Sequence, residues 1–394
     1  MLSVPVLLCR DENRREVAGV IYSRLEIKMK KIVLITGNTK GGIIQFLETI
    51  ETKLNDMGYE VIVIAPVEVE RKLQNKKNYI YYQSIQSGNR IKSFFSKQKA
   101  LKDISNKIAE LKADLIWLVD NPMITVKIGL KLIHTKIPIL LTLHDAGGSH
   151  PTNEILYHKL RRKYTHFLSN KLESEVDYIL LLSKVSFEKY KILKPHNKSK
   201  LVYFCLGAHV PNVEEIRPAE VSEDQFHLFF GRIDKYKGID ILINAFSQVQ
   251  NHKYKLIIAG NGELTSKEKE LYNQVKDDVI LINRYILDEE MLWLFHHARS
   301  VVLPYIEATQ SGVIPIAYKF GVPVIVSNVG GLTQFVDNEK TGFICSSEKD
   351  YVDALQKLEI DTTRIVMSEN AVQYHLQHMN WKKNITVVLD EILT

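Results

Sequence analysis

The regular alternation of short β-branched runs with helix-length amphipathic segments most constrains what this chain can fold into. A run at residues 32–35 precedes a glycine-bearing loop and a helical stretch at 43–57, which Gly58 ends before a second run at 60–65. This order predicts two parallel strands joined by a helix. The alternation continues with predicted strands at 115–119, 139–143, 178–182 and 201–204.

The alternation stops after Gly207 and restarts at residue 226. Pro211, Pro218 and the acidic, polar stretch 212–225 indicate a linker between domains. Two runs of alternating strands and helices predict two parallel-sheet domains with helices on both faces, whose ligands bind beyond the carboxyl ends of the strands. The second run has predicted strands at 226–230, 255–259, 279–282, 300–303 and 323–327.

The first 28 residues differ from the rest, because a charged segment interrupts them and their apolar stretch is too short for a signal peptide. We therefore interpret them as an extension. The predicted organisation is an extension at 1–28, a first domain at 29–211, a linker at 212–225, a second domain at 226–375 and a C-terminal helix at 376–394.

Composition excludes several classes of protein. The chain has 394 residues, 45% of them hydrophobic and 25% charged, which excludes a disordered or collagen-like chain. Its three cysteines, Cys9, Cys205 and Cys345, have no paired spacing for zinc or a redox couple, and a reducing compartment is expected. No apolar run approaches the length of about 20 residues that a membrane-spanning helix needs.

The net charge of +6 is unevenly distributed along the chain. Residues 1–210 carry 34 basic and 20 acidic side chains, whereas the remainder carries 18 and 26. A basic first half indicates an anionic partner, and composition alone leaves a membrane surface, a phosphorylated lipid and nucleic acid open.

The segment GRIDKYKG, at 231–238, lies between a predicted strand and a predicted helix at 239–249. Its two cations, Arg232 and Lys237, are able to converge on one pyrophosphate, because arginine supplies a planar fork of donors and lysine a point charge. An isolated pair of this kind is more often a solvated basic loop, so the interpretation depends on the segments that follow.

A second polar loop, 307–312, follows the strand at 300–303 and precedes a helix predicted at 313–320. Thr309 and Ser311 are candidate N-caps of that helix, and the amides of Ser311, Gly312 and Val313 are expected to point at an anion. The loop 328–331 supplies a pair of glycines, Gly330 and Gly331, where backbone is able to approach a ligand closely.

These segments resemble a known family. GRIDKYKGIDILINAF, LIIAGNGEL and LPYIEATQSGV, followed by GVPVIVSNVGGLTQFV and TGF, resemble in order and spacing the nucleotide-sugar domain of glycosyltransferase family 4, in a subgroup with an EATQSGV-type donor loop. The resemblance implies a retaining enzyme of the GT-B fold, α/β with two Rossmann-like parallel-sheet domains facing a cleft. The second domain would bind a nucleoside-diphosphate sugar, the first the acceptor, and the C-terminal helix would cross back to the first domain.

The resemblance also implies roles for single residues. Arg232 and Lys237 match the pair that neutralises the donor diphosphate, and Glu307 matches the first acid of the family's E-x7-E pattern. The second acid, which binds ribose in the family, falls at Pro315 or Ile316, and neither side chain accepts a hydrogen bond. The family's glutamate after the paired glycines is Gln334 here. The residues expected at the donor are Gly41, Gly42, Tyr285, Thr309, Gln310, Ser311, Gly312, Val313, Gly330 and Gly331.

His144 ends a buried strand and resembles the family's histidine-bearing loop, so it joins Arg232, Lys237 and Glu307 as a candidate catalytic residue. Asp145 and His150, just beyond it, are the candidate acceptor residues. A histidine, an aspartate and one further histidine make a poor zinc set, and the family is metal-independent, so we expect no metal and no cofactor besides the nucleotide-sugar substrate.

Two basic and aromatic segments, 91–104 and 157–167, resemble interfacial helices or solvated helix faces. We expect a cytoplasmic glycosyltransferase that moves a hexose-type sugar to an acceptor hydroxyl in bacterial surface polysaccharide or lipid-linked glycan synthesis. Peripheral contact with an anionic membrane is also expected, and no nucleic acid. The alternatives are a GT-B nucleotide-sugar epimerase and a non-catalytic nucleotide-sugar-binding subunit. A nicotinamide oxidoreductase is disfavoured, because Ala65 and Pro66 stand where an acid would end the second strand.

Overall fold

The computed structural model describes residues 29–69, 73, 76–82, 101–144 and 156–393, with the side chains of 156–162 left out. The predicted extension at 1–28, the greater part of 91–104 and the candidate acceptor residues Asp145 and His150 lie outside the described residues. The described chain forms two all-parallel sheets covered by helices, which confirms the predicted α/β fold with two Rossmann-like domains.

The first sheet has seven described strands in the order β3-β2-β1-β4-β5-β6-β7. Alternate residues of the central strand β1 enter two different cores: Ile32 and Leu34 pack in one cluster, Val33 and Ile35 in the other. Burial on both faces explains why these strands read as continuous apolar runs. The strands are β1 Lys31–Ile35, β2 Glu60–Pro66, β3 Tyr79–Tyr82, β4 Leu115–Leu118, β5 Ile139–Leu143, β6 Tyr178–Leu181 and β7 Lys200–Tyr203.

The second sheet has six described strands in the order β10-β9-β8-β11-β12-β13. In both sheets the strand order reverses beside the first strand of the domain, between β1 and β4 and between β8 and β11. Loops that follow the strands on either side of such a reversal diverge and leave a crevice for a ligand. The strands are β8 Phe226–Phe230, β9 Lys255–Ala259, β10 Val279–Ile282, β11 Ala298–Leu303, β12 Val324–Ser327 and β13 Gly342–Cys345.

Helices connect the strands and cover both sheets. In the first domain they are α1 Gly42–Asp56, α2 over the described residues 101–110, α3 Met123–Leu132, α4 Leu156–Glu175 and α5 Lys184–Leu193. In the second they are α6 Ile239–Ser247, α7 Ser266–Val275, α8 Asp288–His297, α9 Val313–Lys319, α10 Glu348–Leu358 and α11 Asp361–His378. The last helix is α12 Trp381–Leu393. No helix within the described ranges combines the length and the apolar character that crossing a bilayer requires.

The last helix of the chain packs on the first domain. Trp381, Ile385 and Leu389 of α12 are buried in the same core cluster as β1 and α1. The indole Nε1 of Trp381 donates to the carbonyl of Ala208 at 2.9 Å. Helix α11 of the second domain runs to His378, three residues beyond the predicted boundary, so the turn between the domains is at residues 379–380.

Two strands were not predicted from the sequence, β3 and β13, and both lie at the edge of a sheet. Strand β3 is a run of aromatic residues with one isoleucine, and β13 begins at Gly342, a residue type that usually indicates a turn. The Cβ of any other residue at 342 would lie 2.1 Å from the carbonyl oxygen of Val324, so close packing of the neighbouring strand explains this glycine.

Candidate functional site

Two loops of the second domain meet at the reversal of its strand order. The loop after β8 contains Arg232 and Lys237, and the loop after β11 begins at Pro304. The amide of Ile306 donates to the carbonyl of Tyr236 at 2.8 Å, which joins the two loops. Gly238 has a φ of 65°, and a Cβ there would lie 2.0 Å from the carbonyl oxygen of Pro304, so this contact requires glycine.

Lys237 lies against aromatic rings. Its Nζ is 3.5 Å from the centroid of the Tyr305 ring and 4.9 Å from that of Tyr236. Burial, together with the neighbouring charge of Arg232, lowers the pKa of Lys237 to about 7. Such a lysine is half-protonated near neutral pH, and an anion close to it would favour the charged form.

Arg232 is exposed, and neither Arg232 nor Lys237 forms an ion pair with a carboxylate in the described part of the chain. Arg299 and Arg284 of the same domain, by contrast, have such partners: Arg299 pairs with Asp361 at 2.8 Å, and Arg284 pairs with Glu290 at 2.6 Å. Two adjoining cations without a carboxylate form a site that favours an anion of more than one charge.

The loop that contains Glu307 differs from the prediction in its helix cap. The N-cap of α9 is Gly312, not Thr309 or Ser311, and it makes no side-chain cap. The Oγ of Ser311 instead accepts from the amide of Val313 at 3.2 Å, so that amide is not directed at a ligand. The amides of Ser311 and Gly312 donate to no acceptor among the described residues.

Two features leave room for a ligand at this loop. A Cβ built at Gly312 meets nothing within 4 Å. The side-chain oxygen Oε1 of Gln310 is buried and has no hydrogen-bond partner within the described ranges. A buried amide oxygen without a partner is costly, so a ligand hydroxyl at this position would be stabilising.

The paired glycines after β12 have a packing role. A Cβ on Gly330 would lie 1.8 Å from the carbonyl oxygen of Ala308, and one on Gly331 would lie 1.9 Å from that of Thr309. The amide of Gly331 also donates to the Ala308 oxygen at 2.9 Å. The close approach predicted here is therefore made by the neighbouring loop, and Gly330 and Gly331 set the position of Thr309 and Gln310.

The loop after β10 contains Tyr285, which is 64% exposed. Its neighbour Arg284 contacts two carboxylates, Glu220 at 2.8 Å and Glu290 at 2.6 Å. These contacts raise the pKa of Arg284 and lower that of Glu290, so the arginine fixes the loop and ties it to the linker. Tyr285 is presented to solvent, as are Asn283 and Leu287 of the same loop.

The glycine loop of the first domain is open at its end. Gly41, the N-cap of α1, has a φ of 83°, and a Cβ on Gly41 or Gly42 meets nothing within 4 Å. Helix α1 has no acidic residue in its first turn, so its positive end lacks a counter-charge from its own sequence. This geometry allows the close approach of a ligand to the backbone that the sequence predicts.

Asp120, which is not among the residues predicted from the sequence, organises the start of this loop. Its carboxylate is 1% exposed and accepts from the Oγ1 of Thr125 at 2.6 Å, the Nδ2 of Asn38 at 2.8 Å and the amide of Gly37 at 3.1 Å. Asp120 also accepts from the hydroxyl of Thr36. An aspartate directly after the buried apolar run 115–119 was the signal that could have revealed it.

His144 follows β5 at the same edge of the first sheet. Its Nε2 is 2.9 Å from the carbonyl oxygen of Val119, and its ring meets Phe46 edge-to-face at 5.3 Å. Burial lowers the pKa of His144, so the ring is neutral at pH 7. Since a carbonyl only accepts, Nε2 bears the proton and Nδ1 is left as an acceptor for a ligand hydroxyl.

The positions where the family's second acid would fall are both buried in α9. Pro315 is buried, and Ile316 is 9% exposed within the core of the second domain. Neither side chain is able to bind a ribose hydroxyl, as the sequence indicates. In the described part of the chain, no group of three or more histidine, cysteine or carboxylate side chains is arranged to hold a metal ion.

The structure thus brings together three loops of the second domain, with Arg232 and Lys237, with Glu307 to Val313, and with Gly330 and Gly331. Gly41, Gly42 and His144 lie at the carboxyl edge of the first sheet. Asp145 and His150 lie outside the described residues.

Residues 225–361 match the protein-family model described as Glycosyl transferases group 1. Two curated relatives match parts of the chain. An uncharacterized glycosyltransferase of Methanocaldococcus jannaschii is 32% identical over 124 residues, 31% of this chain and 32% of the relative. O-antigen chain mannosyltransferase C of Escherichia coli is 25% identical over 219 residues, 52% of this chain and 58% of the relative. The chain therefore spans between a third and three-fifths of these relatives.

The whole fold resembles solved glycosyltransferase-type structures. The Anabaena protein HepE in complex with UDP superposes with a TM-score of 0.70 at 17% sequence identity, over 92% of this chain and 100% of HepE. At this identity the likeness establishes the fold alone. Fold and family match together define a two-domain protein of the GT-B architecture whose second domain matches the group 1 glycosyltransferase model over residues 225–361.

Proposed function

We propose that this chain is a retaining glycosyltransferase that moves a hexose-type sugar from a nucleoside-diphosphate sugar to an acceptor hydroxyl. One observation carries the proposal: Arg232 and Lys237 adjoin each other beside the strand reversal and lack a carboxylate partner among the described residues. A diphosphate satisfies both cations. The Glycosyl transferases group 1 match over 225–361 and the UDP bound to HepE support this donor class.

The costly event in such a reaction is departure of the diphosphate. The bond from the anomeric carbon to the phosphate oxygen breaks, and negative charge develops on that oxygen. Arg232, Lys237 and the amides of Ser311 and Gly312 stabilise the developing charge. The acceptor oxygen forms its bond on the face that the phosphate leaves, and the phosphate takes the acceptor proton, so no protein nucleophile is needed.

The first domain has the complementary tasks. The Nδ1 of the neutral His144 ring accepts a hydrogen bond from a hydroxyl of the nucleotide sugar, which orients the sugar. Gly41 and Gly42 let the backbone approach the donor phosphates. Closure of the two domains excludes water and so suppresses hydrolysis of the donor. In the second domain, Glu307 binds the hydroxyls of the donor sugar, and the nucleobase of the donor lies near Tyr285.

The proposed acceptor is a growing surface polysaccharide or a lipid-linked glycan. The Escherichia coli relative is named an O-antigen chain mannosyltransferase, and the first half of this chain is strongly basic. We place the protein in the cytoplasm, at the inner face of the cytoplasmic membrane, where lipid-linked acceptors are presented. The reaction uses no metal and no cofactor.

A second candidate is a nucleotide-sugar-binding subunit without its own activity. The observation that favours it is the apolar pair Pro315 and Ile316 at the position of the second acid. It predicts donor binding with no transfer to any acceptor. A GT-B epimerase, the third possibility, predicts turnover of the nucleotide sugar with no acceptor present.

A thermal-shift screen of the full chain tests the donor class. UDP, GDP, ADP, CMP, their common sugar conjugates and NAD are added separately, and a ligand that binds only the folded protein raises the melting temperature by mass action. We expect one nucleoside diphosphate to stabilise the wild type and not Arg232→Ala. No stabilisation, or stabilisation by NAD alone, would reject the proposal.

A further inference from the structure

Helices α4 and α5 leave an apolar surface exposed on the first domain. Tyr164 and Phe167 of α4 are 54% and 63% exposed, and Ile192 and Leu193 of α5 are 79% and 54% exposed. The opposite faces of both helices are buried in the core, so these four side chains are not needed for packing. Large apolar side chains grouped on a surface indicate an interaction site.

Two hydrogen bonds hold helices α4 and α5 together on the same side of the first domain. The Nζ of Lys194 lies 2.6 Å from the Oδ1 of Asn170, and the hydroxyl of Tyr190 donates to Glu173 at 2.9 Å. Asn170 is three residues after Phe167 on α4, and Lys194 directly follows Leu193. These contacts hold the C-terminal end of α5, where Ile192 and Leu193 lie, against the part of α4 one turn after Phe167.

Lysines flank this apolar surface on both helices. Lys163 is exposed four residues before Phe167, and Lys189 is exposed three residues before Ile192, which puts each lysine on the same helix face as its apolar neighbour. The segment 156–200 has eleven basic and four acidic side chains. We call Lys163, Tyr164, Phe167, Lys189, Ile192 and Leu193 the α4–α5 patch.

We propose that the α4–α5 patch docks on an anionic lipid bilayer. The inference deepens the proposed membrane contact, on which it rests, by naming the surface that makes it. A bilayer offers an apolar interior to Phe167 and Ile192 and anionic headgroups to the lysines beside them. The excess of positive charge over 156–200 is complementary to such a surface and unfavourable for a second copy of the same patch.

This docking surface belongs to the domain to which the acceptor is assigned. Helix α5 begins beside the second domain, since the amide of Lys184 contacts Gln334 at 2.7 Å, and Ile192 and Leu193 lie at its other end. Contact through that end leaves the boundary between the domains open to the donor. A lipid-linked acceptor is thereby kept at the membrane next to the first domain.

Vesicle co-sedimentation of the full chain, without donor or acceptor, tests the proposal. One set of vesicles contains a zwitterionic phospholipid alone, and the other contains it with one quarter anionic phospholipid. The apolar variant is Phe167→Ser with Ile192→Ser, and the charge variant is Lys163→Glu with Lys189→Glu. The matched controls are in the second domain, where Ile365 and Val366 are 47% and 58% exposed: Ile365→Ser with Val366→Ser, and Lys340→Glu with Lys349→Glu.

We expect the wild type to bind the anionic vesicles and to be released by salt. The apolar variant should bind at least about tenfold more weakly, because two apolar side chains no longer insert. The charge variant should bind at least about twentyfold more weakly, since each lysine near an anionic surface contributes about fivefold. The control variants should bind as the wild type does, and all variants should keep its melting temperature.

Three results would overturn the proposal: no binding of the wild type to anionic vesicles, equal binding to both vesicle sets, or equal binding by patch and control variants. A dimer in light scattering that the patch variants dissociate would instead assign the surface to a second copy. Binding of nucleoside diphosphate, measured without vesicles, tests the proposed function separately, and the patch variants should leave it unchanged.

Discussion

The side chain of Gln334 in the second domain accepts a hydrogen bond from the backbone amide of Lys184 in the first domain, with Oε1 2.7 Å from the nitrogen. The Nε2 of the same amide donates to the carbonyl of Gly331 at 2.9 Å, which fixes its orientation. Lys184 is the first residue of α5, so Gln334 completes the N-terminus of a helix that belongs to the other domain. The residue that departs from the family's glutamate therefore contacts both domains.

Gln334→Ala should weaken closure of the two domains. A hydrogen bond of this kind contributes about 1 kcal/mol, which corresponds to an approximately fivefold smaller closed population. Gln334→Glu should retain or strengthen the contact, because a carboxylate is favoured at a helix N-terminus. Small-angle scattering with saturating UDP measures the change, and Gln248→Ala, which removes a hydrogen bond to Glu348 inside the second domain, is the control. Equal scattering by Gln334→Ala and wild type would contradict this role.

Arg232→Ala and Lys237→Ala should each cost about 2 to 4 kcal/mol of transition-state stabilisation, the scale of a preorganised charge contact with a leaving group. The measurement is kcat/KM for transfer from the nucleotide sugar identified by the thermal-shift screen. Lys235→Ala is the matched control, because Lys235 lies on the same turn and is exposed. Near-normal turnover in both variants would remove the phosphate assignment.

Binding of a nucleoside diphosphate should take up a proton near neutral pH. Burial lowers the pKa of Lys237 to about 7 in the free protein, well below the ordinary lysine value, so an anion must restore the missing proton. Affinity should therefore fall as the pH rises above 7. Calorimetry in two buffers of different ionisation enthalpy measures the uptake. Lys237→Arg, which stays charged, should abolish it, and Lys235→Arg should not.

The same shift predicts the pH dependence of stability in the free protein. The unfolded chain binds the Lys237 proton more tightly than the folded chain does, because the pKa is about 7 in the folded protein and about 10 in the unfolded chain. Lys237 therefore lowers the free energy of unfolding, and this loss grows as the pH falls from about 10 to about 7. A saturating diphosphate should remove that contribution. Urea unfolding across this pH range, with and without UDP, gives the free energy of unfolding of wild type and of Lys237→Met. If the two free energies depend on pH in parallel without UDP, Lys237 does not titrate in this range.

Alanine should affect stability at Gly330 and donor binding at Gly312, two glycines in loops of the second domain. Gly330→Ala should destabilise the fold by about 1 to 3 kcal/mol, because φ is 47° there and the Cβ would lie 1.8 Å from the Ala308 oxygen. Gly312→Ala should leave stability unchanged, since its Cβ meets nothing within 4 Å, and should weaken donor binding by filling that space. Urea unfolding and calorimetric titration separate the two effects. A stable Gly330→Ala protein would mean that the two loops are able to move apart.

The sequence predicted well what depends on neighbouring residues. Strand β8 and the strands β5, β9 and β10 have the predicted bounds, because a buried parallel strand requires a continuous apolar run that is visible in any short window. Helix ends were less accurate: α6 ends at Ser247, two residues before the prediction. The edge strand β13 was missed because its glycine is explained by a neighbour in the sheet and not by a turn.

The sequence by itself determined the fold class, the two cations in the loop after β8 and the glycines of the ligand-facing loops, since each is encoded in a contiguous stretch. Tertiary structure alone decided that Gly330 and Gly331 hold the neighbouring loop, that Asp120 anchors the glycine loop and that Gln334 contacts Lys184, 150 residues away. The physical reason is that a hydrogen bond or a close backbone contact depends on distances in space. Local sequence patterns specify strands and helices, but only packing of the sheets and domains determines which of their ends meet.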